Sequence, residues 1–134
     1  MAESFVTFLP YNSIPTLHGE LFVWNKLNDL IKFRIERIFM ITGVQVGQKR
    51  GGHAHKKCIQ ALICLTGTVN IKCIRNGSEE NHVLSLKSGI CIIPTKSWLE
   101  LFNFSSDATT VIVLASENYD ETDYIRDFQE FSNL

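Results

Sequence analysis

G-Q-K-R-G-G-H-A-H-K-K-C-I-Q-A-L-I-C-L-T-G, running from Gly47 to Gly67, is the stretch on which the reading of this chain turns. Its second half is rich in apolar and β-branched residues and bounded by glycine, the composition of a buried strand. A strand sends residues two apart to the same face. His53 and His55 therefore point together into whatever the strand encloses, and the glycines on either side mark turns at its ends. Two imidazoles share one cavity.

Outward from this stretch the chain reads as strand after strand. Phe5 to Leu9 is a short apolar segment that stops at Pro10, followed by a loop through Pro15; Leu21 to Trp24 can form a second strand. Asn25 to Leu30 is ambiguous between a turn and one helical turn. Arg34 to Ile41 is β-branched and partly alternating, and Gly43 to Gly47 is a bounded piece of the same kind. Strands are then expected over Gln60 to Leu65, Thr68 to Ile74, His82 to Leu86, Ile90 to Ile93, Trp98 to Phe104 and Thr109 to Ala115. The Asn76-Gly77 pair is a hairpin-turn signal. Helical spacing is confined to the C-terminus, where Tyr124, Phe128 and Phe131 recur at intervals of three and four from Asp120 onward. The expectation is an all-β single domain over residues 1–134, a barrel or sandwich closed to dispose of its edges, with a short C-terminal helix.

Composition narrows the function. A chain of 134 residues can bury a single core, and 13 Lys+Arg against 14 Asp+Glu give no electrostatic case for nucleic acid or an acidic membrane surface. Cys58, Cys64, Cys73 and Cys91 sit in apolar runs without C-x-x-C spacing, which reads as burial of small hydrophobes. The N-terminus, MAESFVTFLP, lacks the charged and apolar regions of a leader, and no segment approaches membrane-spanning length, so the cytoplasm is the expected compartment.

The spacing from Gly47 resembles the first cupin motif: glycine, five residues, His-x-His, four residues, a position usually acidic, six residues, glycine. This implies a cupin, a jelly-roll β-barrel. Gln60 stands at the acidic position. Gly89, Pro94 and Asn103 fit the second motif, with Leu99 where its histidine would fall. Metal-dependent cupins offer three histidines and a carboxylate to one divalent ion. Here two of those four donors remain, and first-row ions need three or four in defined geometry, so neither metal nor cofactor is expected. Two histidines in such a cavity can instead move protons, one as base and its neighbour as acid.

Longer stretches carry a closer resemblance. R-G-G-H-A-H-K (Arg50 to Lys56), Q-A-L-I-C-L-T-G (Gln60 to Gly67), I-P-T-K-S-W (Ile93 to Trp98), N-F-S-S (Asn103 to Ser106), E-R-I-F (Glu36 to Phe39) and L-A-S-E-N-Y-D-E-T-D-Y-I-R-D (Leu114 to Asp127) are similar to the dTDP-4-keto-6-deoxy-D-glucose 3,4-ketoisomerases, the FdtA, QdtA and WxcM-like sugar-nucleotide cupins. The resemblance implies a metal-free isomerase that moves a keto group from C4 to C3 of a dTDP-linked 6-deoxyhexose and supplies a later aminotransferase. It also implies a homodimer with exchanged N-terminal strands. His53 and His55 become the catalytic acid/base pair. Arg50 and Arg37 are expected at the diphosphate or the enediolate, with Gln60 and Asn103 beside the substrate. Trp98 faces either the nucleotide sugar or the core.

This chain departs from the family at three positions. The family's tyrosine falls at Phe39, its His or Arg at Leu99, and an Arg or Tyr near His18. His18 is expected to reach the partner's cavity through the exchanged strand and restore a proton donor. The variable positions set the face of C4 that is reprotonated, and the 3-keto-6-deoxygalactose epimer is the expected product. Two alternatives stay open: a 3,5-epimerase-like cupin, which needs a His-Asp dyad and a tyrosine, and a silent sugar-nucleotide binder. Phe39, and the lack of an acid beside His53 or His55 in sequence, count against the first. The acidic run at Tyr119, Asp123 and Arg126 reads as a solvated helix start that caps the barrel.

Overall fold

Alternation along the strands fixes how they stack. The computed structural model describes residues 3–134. Its first sheet runs in the order β1 (Thr7–Leu9), β9 (Ile90–Ile93), β6 (Gln60–Thr66), β11 (Thr110–Ala115), β4 (Arg37–Ile41). The second runs β12 (Tyr124–Ile125), β5 (Arg50–His55), β10 (Trp98–Phe102), β7 (Val69–Arg75), β8 (Ser78–Leu84). Neighbours pair antiparallel in both. Leu62, Val111 and Val113 from the first sheet and Ile71, Leu99 and Leu101 from the second form one buried cluster between them. Each intervening residue therefore faces outward.

The jelly roll is thus two facing sheets, and among the described residues their edges are not hydrogen-bonded into the closed barrel that the sequence suggested. Face-to-face packing already buries both apolar surfaces, which needs no continuous ladder around the corners. The outer faces are covered separately. Ile31 of α1 (Leu27–Ile31), with Trp24 and Phe33, packs on Ala61, Ile90 and Leu114. Phe131 of α2 (Phe128–Ser132) packs with Ala54, Trp98 and Ile125.

Several local expectations change. The segment through Pro15 is a strand, β2 (Asn12–Thr16), paired with β3 (Gly19–Val23) in a hairpin that pairs with no other strand among the described residues. Proline is tolerated there because the ladder is at an edge. Gly43 to Gly47 is a loop, with Gly43 and Gly47 both at positive φ. Asn76 and Gly77 form the expected two-residue turn between β7 and β8, each with positive φ as a hairpin turn requires. The single helix expected from Asp120 is instead a 3-10 turn (Glu121–Asp123), β12 and the short α2. The free edge of β5 takes Tyr124 and Ile125 as a strand, and Asp127 restarts the helix by accepting from the Gln129 N–H.

Candidate active site

The paired glycines before His53 shape the strand that carries it. Gly51 has φ of +85° at a register shift between β5 and β10, and a Cβ there would lie 2.6 Å from the Leu99 carbonyl oxygen. Only glycine allows the backbones to approach so closely. Beyond the bulge Leu99 lies opposite His53. The position where a cupin metal centre would place its last histidine thus adjoins the imidazole pair and holds an alkyl chain.

The His53 and His55 rings meet edge to face, with centroids 5.1 Å apart and planes at 90°. On the other side of β5, Tyr124 is registered with His55 and Ile125 with Ala54. Ile125 therefore goes outward under α2, and Tyr124 turns inward against both imidazoles, at 5.0 Å from His53 and 4.4 Å from His55.

Asp123, one residue earlier, is buried and accepts a hydrogen bond from His55 Nδ1 at 2.8 Å. Its other oxygen accepts from the Lys57 backbone N–H at 2.6 Å. A carboxylate only accepts, so Nδ1 carries the proton and Nε2 presents its lone pair. An acid does stand beside the histidine pair, delivered from 68 residues away. The reading of this run as a solvated helix start is corrected at Asp123, because the strand pairing of β12 pulls it inside.

Burial sets the charge state. Desolvation, reinforced by the neighbouring His55 and by Arg126, lowers His53 from its ordinary 6.5 to about 4. Desolvation also lowers His55, against the opposing pull of Asp123. Both rings are neutral at physiological pH, the form in which an imidazole accepts a proton. The cysteines are free and buried, and desolvation raises the Cys73 thiol to about 12, so it is no nucleophile.

A cavity of about 340 Å³ opens between the sheets at this end. Arg37, Arg50, His53, Gln60, Tyr124 and Arg126 give it polar walls, and Phe39, Leu62, Leu99, Leu101 and Val113 apolar ones. Arg37 Nε, His53 Nδ1 and His55 Nε2 are buried without a partner among the described residues. Arg126 sits at the rim with its guanidinium 4.3 Å over the Tyr124 ring, held by Glu121 at 2.7 and 3.0 Å.

The structure thus gathers Arg37, Arg50, His53 and Gln60 around the cavity, with His55 directly behind His53. Three other expected residues lie elsewhere. Trp98 faces outward from β10, packs edge-on to Phe128 at 5.1 Å and donates to Glu100, because strand alternation gives the inner face to Leu99 and Leu101. Asn103 follows the end of β10 at φ of +57°, with its amide 3.5 Å from Asn70. His18 lies at the exposed tip of the β2–β3 hairpin, outside the cavity of its own chain. Asp123, Tyr124 and Arg126 are the residues that sequence reasoning set aside. The signal was present in D-Y-I-R, a strand-compatible pair between an acid and a base.

Among the described residues one cluster has donors for a cation: the ligating atoms of His55, Cys58 and Asp123 lie within 4.8 Å of one another, all buried. As arranged these atoms satisfy each other and the backbone. Asp123 accepts the hydrogen bond from His55 Nδ1, and the Cys58 thiol donates to the Ile59 carbonyl oxygen at 3.5 Å.

Residues 5–134 match the family described as FdtA, WxcM-like, C-terminal. The chain belongs to that family. A curated relative from Aneurinibacillus thermoaerophilus, TDP-4-oxo-6-deoxy-alpha-D-glucose-3,4-oxoisomerase, is 40% identical over 106 residues, covering 78% of this chain and 74% of that one. Among solved structures, QdtA, a sugar 3,4-ketoisomerase from Thermoanaerobacterium thermosaccharolyticum in complex with TDP, superposes with a TM-score of 0.86 at 36% identity over 96% of this chain and 92% of that one. A 3,4-ketoisomerase from Helicobacter canadensis gives 0.87 at 30% identity, covering 98% and 97%. The family's cupin fold is the fold seen here.

Proposed function

We propose that this chain is a metal-independent 3,4-ketoisomerase that converts dTDP-4-keto-6-deoxy-D-glucose to a dTDP-3-keto-6-deoxyhexose. The observation that carries the reading is the convergence of unpaired buried polar atoms from Arg37 and His53 at one cavity, with the unpaired Nε2 of His55 on the ring packed behind His53. Each such atom costs about 1–3 kcal/mol when left unsatisfied, so the site is built for a polar guest. The names of the relatives supply the guest's class.

In this reading the C4 carbonyl acidifies the C3 hydrogen, and neutral His53 removes it. His55, oriented by Asp123, completes the acid/base pair. Arg37 and Arg50 stabilise the enediolate oxygens or hold the diphosphate, since a guanidinium pairs well with such oxygens, and Gln60 hydrogen-bonds the sugar. The imidazolium of His53 then returns the proton to C4. Delivery by one base keeps the proton on one ring face, and that outcome is the galacto epimer. The facing sheet supports it, since Phe39, Leu62 and Val113 offer no transferable proton there. The 3-ketone is the substrate a later aminotransferase needs.

The same reading includes a homodimer in which the N-terminal hairpin is exchanged and brings His18 to the partner's cavity. Its support is the exposed hairpin, with Leu17 99% accessible. Among the described residues no helix is long and apolar enough to cross a membrane, and four free thiols suit the reducing cytoplasm we assign.

A 3,5-epimerase reading gains from the His55–Asp123 dyad and the nearby Tyr124. Chelator-treated protein incubated with dTDP-4-keto-6-deoxyglucose in deuterated water separates the two. Isomerisation gives a 3-keto product, with deuterium at C4 to the extent that the His53 imidazolium exchanges with solvent before returning its proton, and the H4–H5 coupling of product made in ordinary water reports galacto or gluco. Label at C3 and C5 with the ketone still at C4 establishes epimerisation and sinks the isomerase reading. Binding with neither label nor 3-keto product identifies a silent cupin, and activity that returns only with added metal refutes the metal-free mechanism.

A further inference from the structure

A keto group moves from C4 to C3 only if two hydrogens move the other way. The carbon-bound hydrogen goes from C3 to C4, and the hydroxyl hydrogen goes from O3 to O4. The imidazole pair handles the first. For the second the cavity needs a group that both gives and takes a proton beside the enediol oxygens. The guanidinium groups of Arg37, Arg50 and Arg126 donate hydrogen bonds but are not deprotonated in proteins, and the Gln60 amide does not titrate. Among the residues lining the cavity, Tyr124 alone carries a hydroxyl.

The position of that ring is set from three sides. Its strand pairs with β5 so that Tyr124 shares the inner face with His55. Both imidazoles pack against it at 5.0 and 4.4 Å, and the Arg126 guanidinium, itself clamped by Glu121, covers it at 4.3 Å. Tyrosine belongs to the side chains that act as general acid and base. Phe39, also on the cavity wall, carries no hydroxyl to share the task.

We propose that Tyr124 is a further catalytic residue, the shuttle that carries the hydroxyl proton from O3 to O4. The proposal rests on the ketoisomerase reading above. As His53 takes the C3 hydrogen, the C–H electron pair forms the C3=C4 bond and the C4 carbonyl pair moves to O4, which takes the phenol proton. The phenolate then removes the O3 hydrogen. The O3 electrons form the C3 carbonyl, and the double-bond pair takes the proton from the His53 imidazolium at C4. C3 is oxidised by two electrons and C4 reduced by two, and both side chains return to their starting states.

Tyr124→Phe keeps the ring that packs on both imidazoles and removes only the hydroxyl. Turnover of dTDP-4-keto-6-deoxyglucose should fall roughly 10²-fold or more, the usual worth of a positioned acid/base. In deuterated water, exchange at C3 of recovered substrate should persist near the unsubstituted rate, because His53 still removes and returns that hydrogen. Turnover within about twofold of the unsubstituted protein, or exchange and turnover falling together, overturns the shuttle; the latter makes Tyr124 a packing residue for the histidines. An unsubstituted protein with no turnover rejects the underlying reading and the shuttle with it. Should the phenylalanine variant not fold, 3,5-difluorotyrosine at 124 retains a hydroxyl of greater acidity. The shuttle requires the alkaline limb of kcat to move to lower pH, and an unmoved limb overturns it.

Discussion

Burial keeps His53, the base of the proposed reaction, in its neutral form. Desolvation holds it at about 4, against 6.5 in the open, so the neutral ring is present throughout the physiological range. The ascending limb of kcat/KM against pH, which reports the free enzyme's base, should lie near pH 4. A limb at 6.5 would mean that the ring is wet. The same shift links pH to stability. Its folded value lies below its unfolded one, so the unfolded chain takes the proton first as pH falls. The contribution is fully present above 6.5 and is lost progressively down to about 4, and lowered His55 acts in the same sense. Denaturant midpoints should fall across this window, and His53→Gln should flatten the fall. Asp123 acts at one remove, through the His55 tautomer. Asp123→Asn should lower kcat on the order of 10²-fold, within the range for acid/base groups, and also shift the pH limb, which a packing defect alone would not do.

Elements carry these residues to the cavity by alternation. In β10 the odd positions, Leu99 and Leu101, are inside, and the even ones, Trp98, Glu100 and Phe102, are outside. Trp98 consequently contributes to stability under α2, where its ring meets Phe128 and Phe131. Trp98→Ala should cost about 3–5 kcal/mol by denaturation while leaving KM unchanged in the folded fraction; a raised KM would put the indole back in contact with substrate. Most strands were legible because β-branched runs between Gly, Pro and Asn-Gly signals fix extended structure locally. The illegible ones were those whose state is decided by a neighbour. Residues 12–16 hold a proline, and only pairing with β3 makes them a strand. Tyr124 and Ile125 fit a helical stripe as well as a strand, and the open edge of β5 selects the strand.

At the scale of the whole molecule the hairpin is unfinished business for a single chain of 15.2 kDa. Leu17 and Leu21 on the hairpin are exposed, as are Ile38 and Met40 on β4, whose outer edge pairs with no described strand. If the hairpin crosses to a partner, light scattering should give twice the chain mass, and deleting residues 11–24 should give monomers. His18→Ala should then lower turnover in the dimer, and unchanged kinetics would remove His18 from the site. The sequence alone determined the all-β class, the inward pair His53 and His55 and the missing ligands at Gln60 and Leu99, because strand period and motif spacing are local and survive any arrangement of the sheets. The tertiary structure alone decided that Asp123, Tyr124 and Arg126 gather at the histidines and the cavity beside them and that Trp98 faces away. Those assignments depend on which strand closes against β5 from nearly seventy residues away, and contact across such a distance is settled by packing of the whole chain.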